Sequence, residues 1–440
     1  MRVVAIFGGP GVGKTHKLAE LFTEAAKKYG AENIAFVSYT KTQVWRDKTA
    51  VHKLAKVKHK KLKKFKTLHS ISRENYDFDT EVFDEEKVER MSIYLGEDMS
   101  AVAKGIDFMK NTLTDDDAVG ANIAGMEARE FQKYKRFYDK VKEGSSNPAK
   151  KTVDFSDMIF DAVDRRYKVD CKAAFVDEAQ DLSPLQWKAV YTFFRDVEVL
   201  YVAGDPNQAL YRFSGGQANY MLFMKCDETI FLDKSHRCCE SVMLMAERVW
   251  GKMKDKAALP MCSDRDDGFA VFYPDFNIRQ QFFGPIQNMI QKGKKVLVLA
   301  NTFYQLKQMK DRLFAGKEHP HNFFSGKCKY HWRGDERNVI TFSTVHQAKG
   351  LEADLVIYDS ACGQTGQFSD FGNEEQKWQD YWRLVYTAIT RAKTNLIVCE
   401  LSRPRAGEPT CLDLLYYAKY NFDNYRKWLY LKPIDKNCKK

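Results

Sequence analysis

Eight residues near the start constrain this chain more than any other stretch. Met1 to Phe7 (MRVVAIF) is an apolar, β-branched run of strand length, and it leads into Gly8-Gly9-Pro10-Gly11-Val12-Gly13-Lys14-Thr15. Beyond it, Leu18, Leu21, Phe22, Ala25 and Ala26 recur at helical spacing as far as Gly30, which reads as a helix stop. A strand, then G-x-x-x-x-G-K-T, then a helix is the setting of a phosphate-binding loop. The glycines let the backbone curl so that its N–H groups face anionic oxygens, and the helix N-terminus adds a favourable dipole. Lys14 is then placed to reach the β- and γ-phosphates of a nucleotide, and Thr15 to hold Mg²⁺. A plain glycine turn is the alternative, and the flanking strand and helix weigh against it.

At 440 residues the chain predicts two to four domains with real cores. Hydrophobic content of 44% and charged content of 29% are those of an ordinary globular protein. No stretch approaches the roughly 20 apolar residues of a membrane span, and no secretory leader is visible. With the first strand beginning almost at Met1, no targeting segment is expected, and the expected location is the cytoplasm of a bacterial, phage-infected or virus-infected cell. Lys and Arg number 70 against 59 Asp and Glu, and the balance of +11 favours a polyanionic partner. The ten cysteines are scattered and no C-x-x-C occurs, which fits reduced thiols rather than a disulfide framework. His319, His321, Cys328 and His331 could bind zinc, but their spacing matches no usual zinc pattern, and a polar loop is the preferred reading.

Further strands follow the loop. Asn33–Thr40 is a buried-strand signature, with Thr40, Lys41, Thr42 and Gln43 as a polar cluster at its carboxyl end, where open α/β sheets place ligands. Lys53–Lys66 carries eight lysines in fourteen residues. It reads as a phosphate-tracking patch, or as a solvated face with Leu54, Val57, Leu62 and Phe65 turned inward. Residues 75–150 are helical in composition and end in a Gly-Ser-Ser-Asn-Pro breaker at 144–148; they predict a helical insertion. Ala173–Asp177 is an apolar strand ending in adjacent carboxylates. Asp177 can hold Mg²⁺, and Glu178 can orient or deprotonate an attacking water. Glu198–Asp205 is another strand, followed by Gln208, within reach of a γ-phosphate, and by the loop aromatics Tyr211 and Phe213, suited to stacking on bases. Thr229–Arg237 opens a second half with strands at Lys294–Leu299, Val339–Ser343, Asp354–Tyr358 and Leu396–Glu400. A helix is expected over Trp382–Lys393, and no second phosphate loop occurs.

These motifs, in this order, resemble those of superfamily 1 helicases of the UvrD/Rep type. GGPGVGKT is similar to motif I, Ser38-Tyr-Thr-Lys41 to motif Ia and Thr67-Leu-His-Ser70 to motif Ib. Asp154-Phe-Ser-Asp157 is similar to the stretch before motif II, VDEAQD to motif II, and GDPNQALYRFSGG to motif III. Ser235-His-Arg237, STVHQAKGLEADLV and RLVYTAITRAK resemble motifs IV, V and VI. The resemblance implies an α/β fold of two RecA-like P-loop NTPase lobes, 1–235 and 236–440, with a helical insertion at about 75–150 in the first. It implies ATP and Mg²⁺ bound between the lobes. Lys14, Asp177, Glu178, Gln208, Arg237 and Arg391 would be catalytic, the two arginines acting as fingers. Gly8 to Thr15, His236 and Glu352 would bind nucleotide, with Glu352 on the ribose and His236 near the adenine, and Thr15 and Asp177 would hold the metal. Thr40, Lys41, Thr67, His69, Tyr211, Phe213, Thr344 and His346 would contact nucleic acid.

Three departures from the family qualify this. Only seven residues precede Gly8, so the adenine-reading glutamine motif is not expected and base selectivity would be loosened. Only Asn301–Asn338 stands where the family carries a large insertion, so a vestigial insertion at about 301–338 is expected. Lys41 replaces a usual asparagine, turning a base or sugar contact into a phosphate contact. No nuclease motif follows residue 400, and the tail from Tyr416 could pack or touch DNA. The implied function is a 3′→5′ DNA helicase, monomeric, acting on single-stranded DNA and its junctions with duplex. RNA is the less favoured track, no membrane is involved, and replication or recombination proteins are possible partners. A protein-stripping translocase or an ATP-gated binding switch is the alternative.

Overall fold

In a computed structural model of the chain, the described residues are 1–74, 76, 80–83, 85–143, 152–254, 256–273, 278–315, 317, 319–325, 328–331, 339–361, 374–401, 410–415 and 419–429. They divide into two compact units: residues 1–8 and 13–232 in one, 9–12 and those from 233 onward in the other.

The first unit is built on six strands: β1 (Arg2–Gly8), β2 (Ile34–Val37), β3 (Phe65–Lys66), β4 (Ala173–Val176), β5 (Val199–Gly204) and β6 (Glu228–Leu232). They lie in the order β3-β2-β4-β5-β1-β6 and every pairing is parallel. Parallel strands are covered on both faces, which is why the central ones are unbroken apolar runs. Ile6, Phe22, Phe36 and Phe175 are almost wholly buried, and the rings of Phe36 and Phe175 stack at 5.6 Å. Val4 of β1 lies opposite Glu228 of β6, so Thr229–Leu232, read from sequence as opening the second half, belongs to the first sheet. In the lysine-rich stretch Leu62 and Phe65 are buried as expected, whereas Leu54 is exposed on the last turn of helix Lys41–Ala55.

The helical insertion is present as Glu85–Leu95, Met99–Thr112, Asp117–Ala124 and Ala128–Glu143. These helices enclose a small core of their own around Met99, Ile106, Met109 and Phe131. A Cβ at Gly120 would lie 2.4 Å from the Phe131 ring, so only glycine lets these helices close. The breaker at 144–148 lies outside the described residues. Charge ties the insertion to helix Phe155–Asp164, which precedes β4. Lys110 Nζ sits 2.7 Å from both Asp154 and Asp157, which form the capping box of helix Phe155–Asp164. Burial opposes the Asp154 charge, yet Lys110 and Lys142 hold that carboxyl down at about 2.

The second unit carries β7 (Phe269–Tyr273), β8 (Val296–Ala300), β9 (His321–Ser325), β10 (Cys328–Tyr330), β11 (Ile340–Thr344), β12 (Ala353–Asp359), β13 (Ala392–Cys399) and β14 (Lys419–Tyr420). Their order is β10-β9-β11-β8-β12-β13-β7-β14, antiparallel only at its two margins. Two expectations change here. The stretch 301–338 supplies, in its described part, helix Phe303–Phe314 and strands β9 and β10, which are parts of the sheet itself. The helix expected over Trp382–Lys393 is Glu374–Ile389, and Ala392 already pairs with Ala353 of β12. Of the tail, 416–418 and 430–440 lie outside the described residues. Helix Phe422–Leu429 packs Tyr425 and Trp428 onto the second core.

No helix among the described residues is long and apolar enough to cross a membrane. Gly268, just before β7, has no room for a side chain, since a Cβ there would fall 1.7 Å from the Thr394 carbonyl oxygen. Gly268→Ala is expected to destabilise the second unit by about 1–3 kcal/mol. A lowered denaturant midpoint would show it, and an unchanged midpoint would contradict this packing.

Candidate nucleotide site

The loop after β1 has the backbone its sequence asks for. Gly11 and Gly13 take φ of 72° and 87°, a region that costs other residues strain, and Gly13 caps helix Lys14–Tyr29. Lys14 Nζ donates to the Gly8 carbonyl at 2.8 Å, which folds the side chain back over the loop. The sheet order puts β5 between β1 and β4, so the loop and Asp177 emerge at one carboxyl edge, the usual ligand edge of such sheets. The Thr15 hydroxyl donates to Asp177 Oδ2 at 3.2 Å.

Asp177 is buried, and desolvation followed by the neighbouring Glu178 charge pushes its carboxyl up to about 6. An acid held this way suits a divalent cation, whose charge would reverse that penalty. Thr15 and Asp177 therefore fit Mg²⁺, with phosphate and water oxygens as the remaining ligands. No group of three or more His, Cys, Asp or Glu side chains among the described residues could hold a metal by itself.

A network behind these residues was not evident from sequence. Glu178, at φ 55°, receives a hydrogen bond of 2.6 Å from Gln180 Nε2. Gln180 Oε1 in turn accepts from the Asp205 backbone N–H at 3.1 Å, joining the tips of β4 and β5. Asp205 accepts from Gln208 Nε2 at 2.7 Å, and burial pushes its carboxyl up against the pull of Lys14. On the other side Gln43 Nε2 donates to Asp47 at 2.9 Å and reaches Asp177 at 3.5 Å. Asp47 is fully buried, bonded also to Ser38, and desolvation raises it well above the carboxylate range. Only the clustering of Asp, Glu and Gln at strand ends hinted at this.

The residues assigned to nucleic acid divide into two sets. Thr40 and Lys41 are exposed at the start of helix Lys41–Ala55, where Thr40 caps through the Gln43 N–H. Phe213 is 44% exposed. Tyr211, expected as an exposed loop aromatic, is half-buried, its ring tilted against that of Tyr39 at 4.7 Å, and burial raises its phenol. Thr67 is buried too, its hydroxyl engaged in capping helix Leu68–Arg73. His69 lies edge-on to Phe155 at 5.7 Å, and Phe155, exposed and not singled out from sequence, is a further stacking surface. Burial lowers His69 and His346 to about 4, so at neutral pH both are uncharged rings. Thr344 is buried at the end of β11.

In the second unit Glu352 joins two cations. Its Oε2 lies 2.8 Å from Arg237 Nε and its Oε1 2.5 Å from Lys393 Nζ. Burial works against its charge, but Lys393 and Arg237 outweigh it and hold the carboxyl below its ordinary value. Glu352, expected on a ribose, is thus engaged by its own unit, and Lys393 was not foreseen. Arg391 is buried between helix Glu374–Ile389 and β13, with Nε donating to the Thr387 carbonyl at 3.0 Å. His236 is exposed. The His319–His331 cluster is aromatic packing: His319 lies 4.9 Å from Phe314, His321 5.2 Å from Tyr330 and His331 4.8 Å from Phe324.

Comparison with known families matches residues 2–228, just over half of the 440, to the UvrD/REP helicase N-terminal domain. The chain belongs to the UvrD/REP helicase family. Residues 329–403 match the UvrD-like helicase C-terminal domain, so the two sheets are the two RecA-like lobes of that family. Among curated relatives, DNA helicase IV of Escherichia coli is 26% identical over 278 residues, 56% of this chain and 36% of that protein. The Probable DNA helicase II homolog of Mycoplasma pneumoniae is 22% identical over 312 residues, 60% of this chain and 42% of its own length. ATP-dependent DNA helicase UvrD2 of Mycobacterium bovis is 29% identical over 100 residues, 21% and 14% of the two chains. The chain thus spans less than half the length of each of these relatives.

Proposed function

We propose that this chain is an ATP-driven motor that moves 3′→5′ on single-stranded DNA and separates duplex ahead of it. The observation that carries the reading is the convergence at one sheet edge of Lys14, Thr15, Asp177 and Glu178, with Thr15 and Asp177 already 3.2 Å apart. In this reading Lys14 and the loop N–H groups hold the phosphates. Thr15 and Asp177 would hold Mg²⁺, which would supply charge neutralisation to the phosphates. Glu178, steadied by Gln180, takes the proton of the attacking water. Gln208, tethered to Asp205, responds to the γ-phosphate. Arg237 and Arg391 offset the charge that spreads over the transferring phosphoryl group, and Glu352 with Lys393 keeps Arg237 oriented. The polarity and the unwinding follow from likeness to the UvrD/REP family, and DNA as the track follows from the relatives' names. A cytoplasmic setting fits such a motor.

Thr40, Lys41, His69 and Phe213 are the proposed strand contacts of the first unit, the lysine on phosphate and the rings on bases. Phe213→Ala is expected to leave DNA-stimulated hydrolysis within about threefold while cutting unwinding of a tailed duplex at least about tenfold, the loss of one stacking contact being worth 1–3 kcal/mol. Parallel phosphate-release and strand-separation assays test this. Unchanged unwinding would remove Phe213 from the track.

A further inference from the structure

We propose that the edge of the second sheet carries an accessory site for single-stranded DNA, in the groove between helix Phe303–Phe314 and strands β9 and β10. The proposal rests on the motor reading above and adds a contact surface to it.

The groove is a cavity of about 500 Å³. Its walls combine rings and cations. Phe303 is 48% exposed and Tyr330 41% exposed, so both present ring surface to solvent. Phe323, at the base, packs edge-on against Phe303 at 5.7 Å, and Lys310 Nζ lies 6.0 Å from the Phe323 ring centroid. His321 backs Tyr330 at 5.2 Å and stiffens it. Among the described residues that line the groove, Lys307, Lys310 and Lys317 stand with one carboxylate, Asp311. None of the three lysines forms an ion pair with a described residue. Lysines often guard a sheet edge against pairing with another chain, which is the blander account of such charge. That account suits Lys329, on the edge strand itself. It does not suit Lys307 and Lys310, one turn apart on the helix and lining the groove, where they guard no backbone. Exposed rings beside cations that pair with no described carboxylate are the combination that grips a single strand, bases on the rings and phosphates on the ammonium groups. An acidic protein surface would use the cations and leave the rings idle.

The test uses the full chain and fluorescein-labelled oligo(dT). The variant Lys307→Ala/Lys310→Ala/Lys317→Ala is expected to bind about tenfold more weakly, with a log–log salt slope shallower by about 2, since each single-strand phosphate contact contributes about 0.7. Saturating oligo(dT) should still give the wild-type kcat for ATP hydrolysis. Tyr330→Ala should weaken binding with the salt slope unchanged. Oligo(dT) bearing 4-thiothymidine should crosslink to peptides holding Phe303 or Tyr330. An unchanged slope in the triple variant, a lowered saturating kcat, or no crosslink to either peptide overturns the site. Oligo(U) competing as well as oligo(dT) overturns its assignment to DNA. Wild-type chain that fails to bind oligo(dT) overturns the motor reading itself. A triple variant that binds oligo(dT) as tightly as the wild type overturns this site alone.

Discussion

Glu178→Gln is expected to slow ATP hydrolysis by about 10²–10⁴-fold, the range of a positioned general base, while leaving ATP-dependent binding of oligo(dT) intact. The substitution keeps the size and removes the basicity. Glu178 is the second residue past β4, and its left-handed backbone (φ 55°) turns it out of the strand direction that Asp177 continues. That turn separates two adjacent carboxylates into two roles, one beside Thr15 and one beside Gln180. The fold of the variant should be intact, since the amide can still meet Gln180. Phosphate release and oligo(dT) anisotropy, measured on the same preparation, read the two halves of the expectation. Turnover within about threefold of wild type would remove Glu178 from the proton-accepting role.

The second large effect belongs to Arg391. Arg391→Ala should lower DNA-stimulated hydrolysis by about 10³–10⁵-fold, the worth of an arginine finger. Arg391→Lys should recover only part of it, because a point charge cannot replace a planar fork. The residue sits in the turn between helix Glu374–Ile389 and β13, 3% exposed, with Nε held by the Thr387 carbonyl. That bond fixes the orientation of the guanidinium. An equally large loss of unfolding stability in the lysine variant, or hydrolysis within tenfold of wild type in the alanine variant, would make Arg391 a structural residue instead.

Much of the molecule was legible before its structure. The phosphate loop could be read because a tight glycine turn between a strand and a helix leaves few alternatives, and Gly11 and Gly13 do take positive φ. The buried parallel strands could be read because burial on both faces demands unbroken apolar runs such as Ala173–Val176. Boundaries were less legible. Helix Glu374–Ile389 stops before Arg391 because Ala392 is captured by pairing with β12, a long-range event that leaves no local mark. The stretch 301–338 looked like the remnant of an insertion because short strands at a sheet margin carry little signal, and β10 has three exposed residues. At the site, residue types were legible and partnerships were not. Nothing in the spacing of Gln180 and Asp205 shows that they bond, because sheet order brings them together. Tyr211 and Phe213 look alike in sequence, yet Tyr39 claims one ring and leaves the other exposed.

The measurement that bears most directly on the central claim is the rate of ATP hydrolysis by the full chain with no polymer, with oligo(dT) and with oligo(U). The account predicts a low basal rate, strong stimulation by oligo(dT) and weaker stimulation by oligo(U). A rate that neither polymer changes would contradict it, leaving a nucleotide-binding protein whose turnover is not tied to a nucleic-acid track.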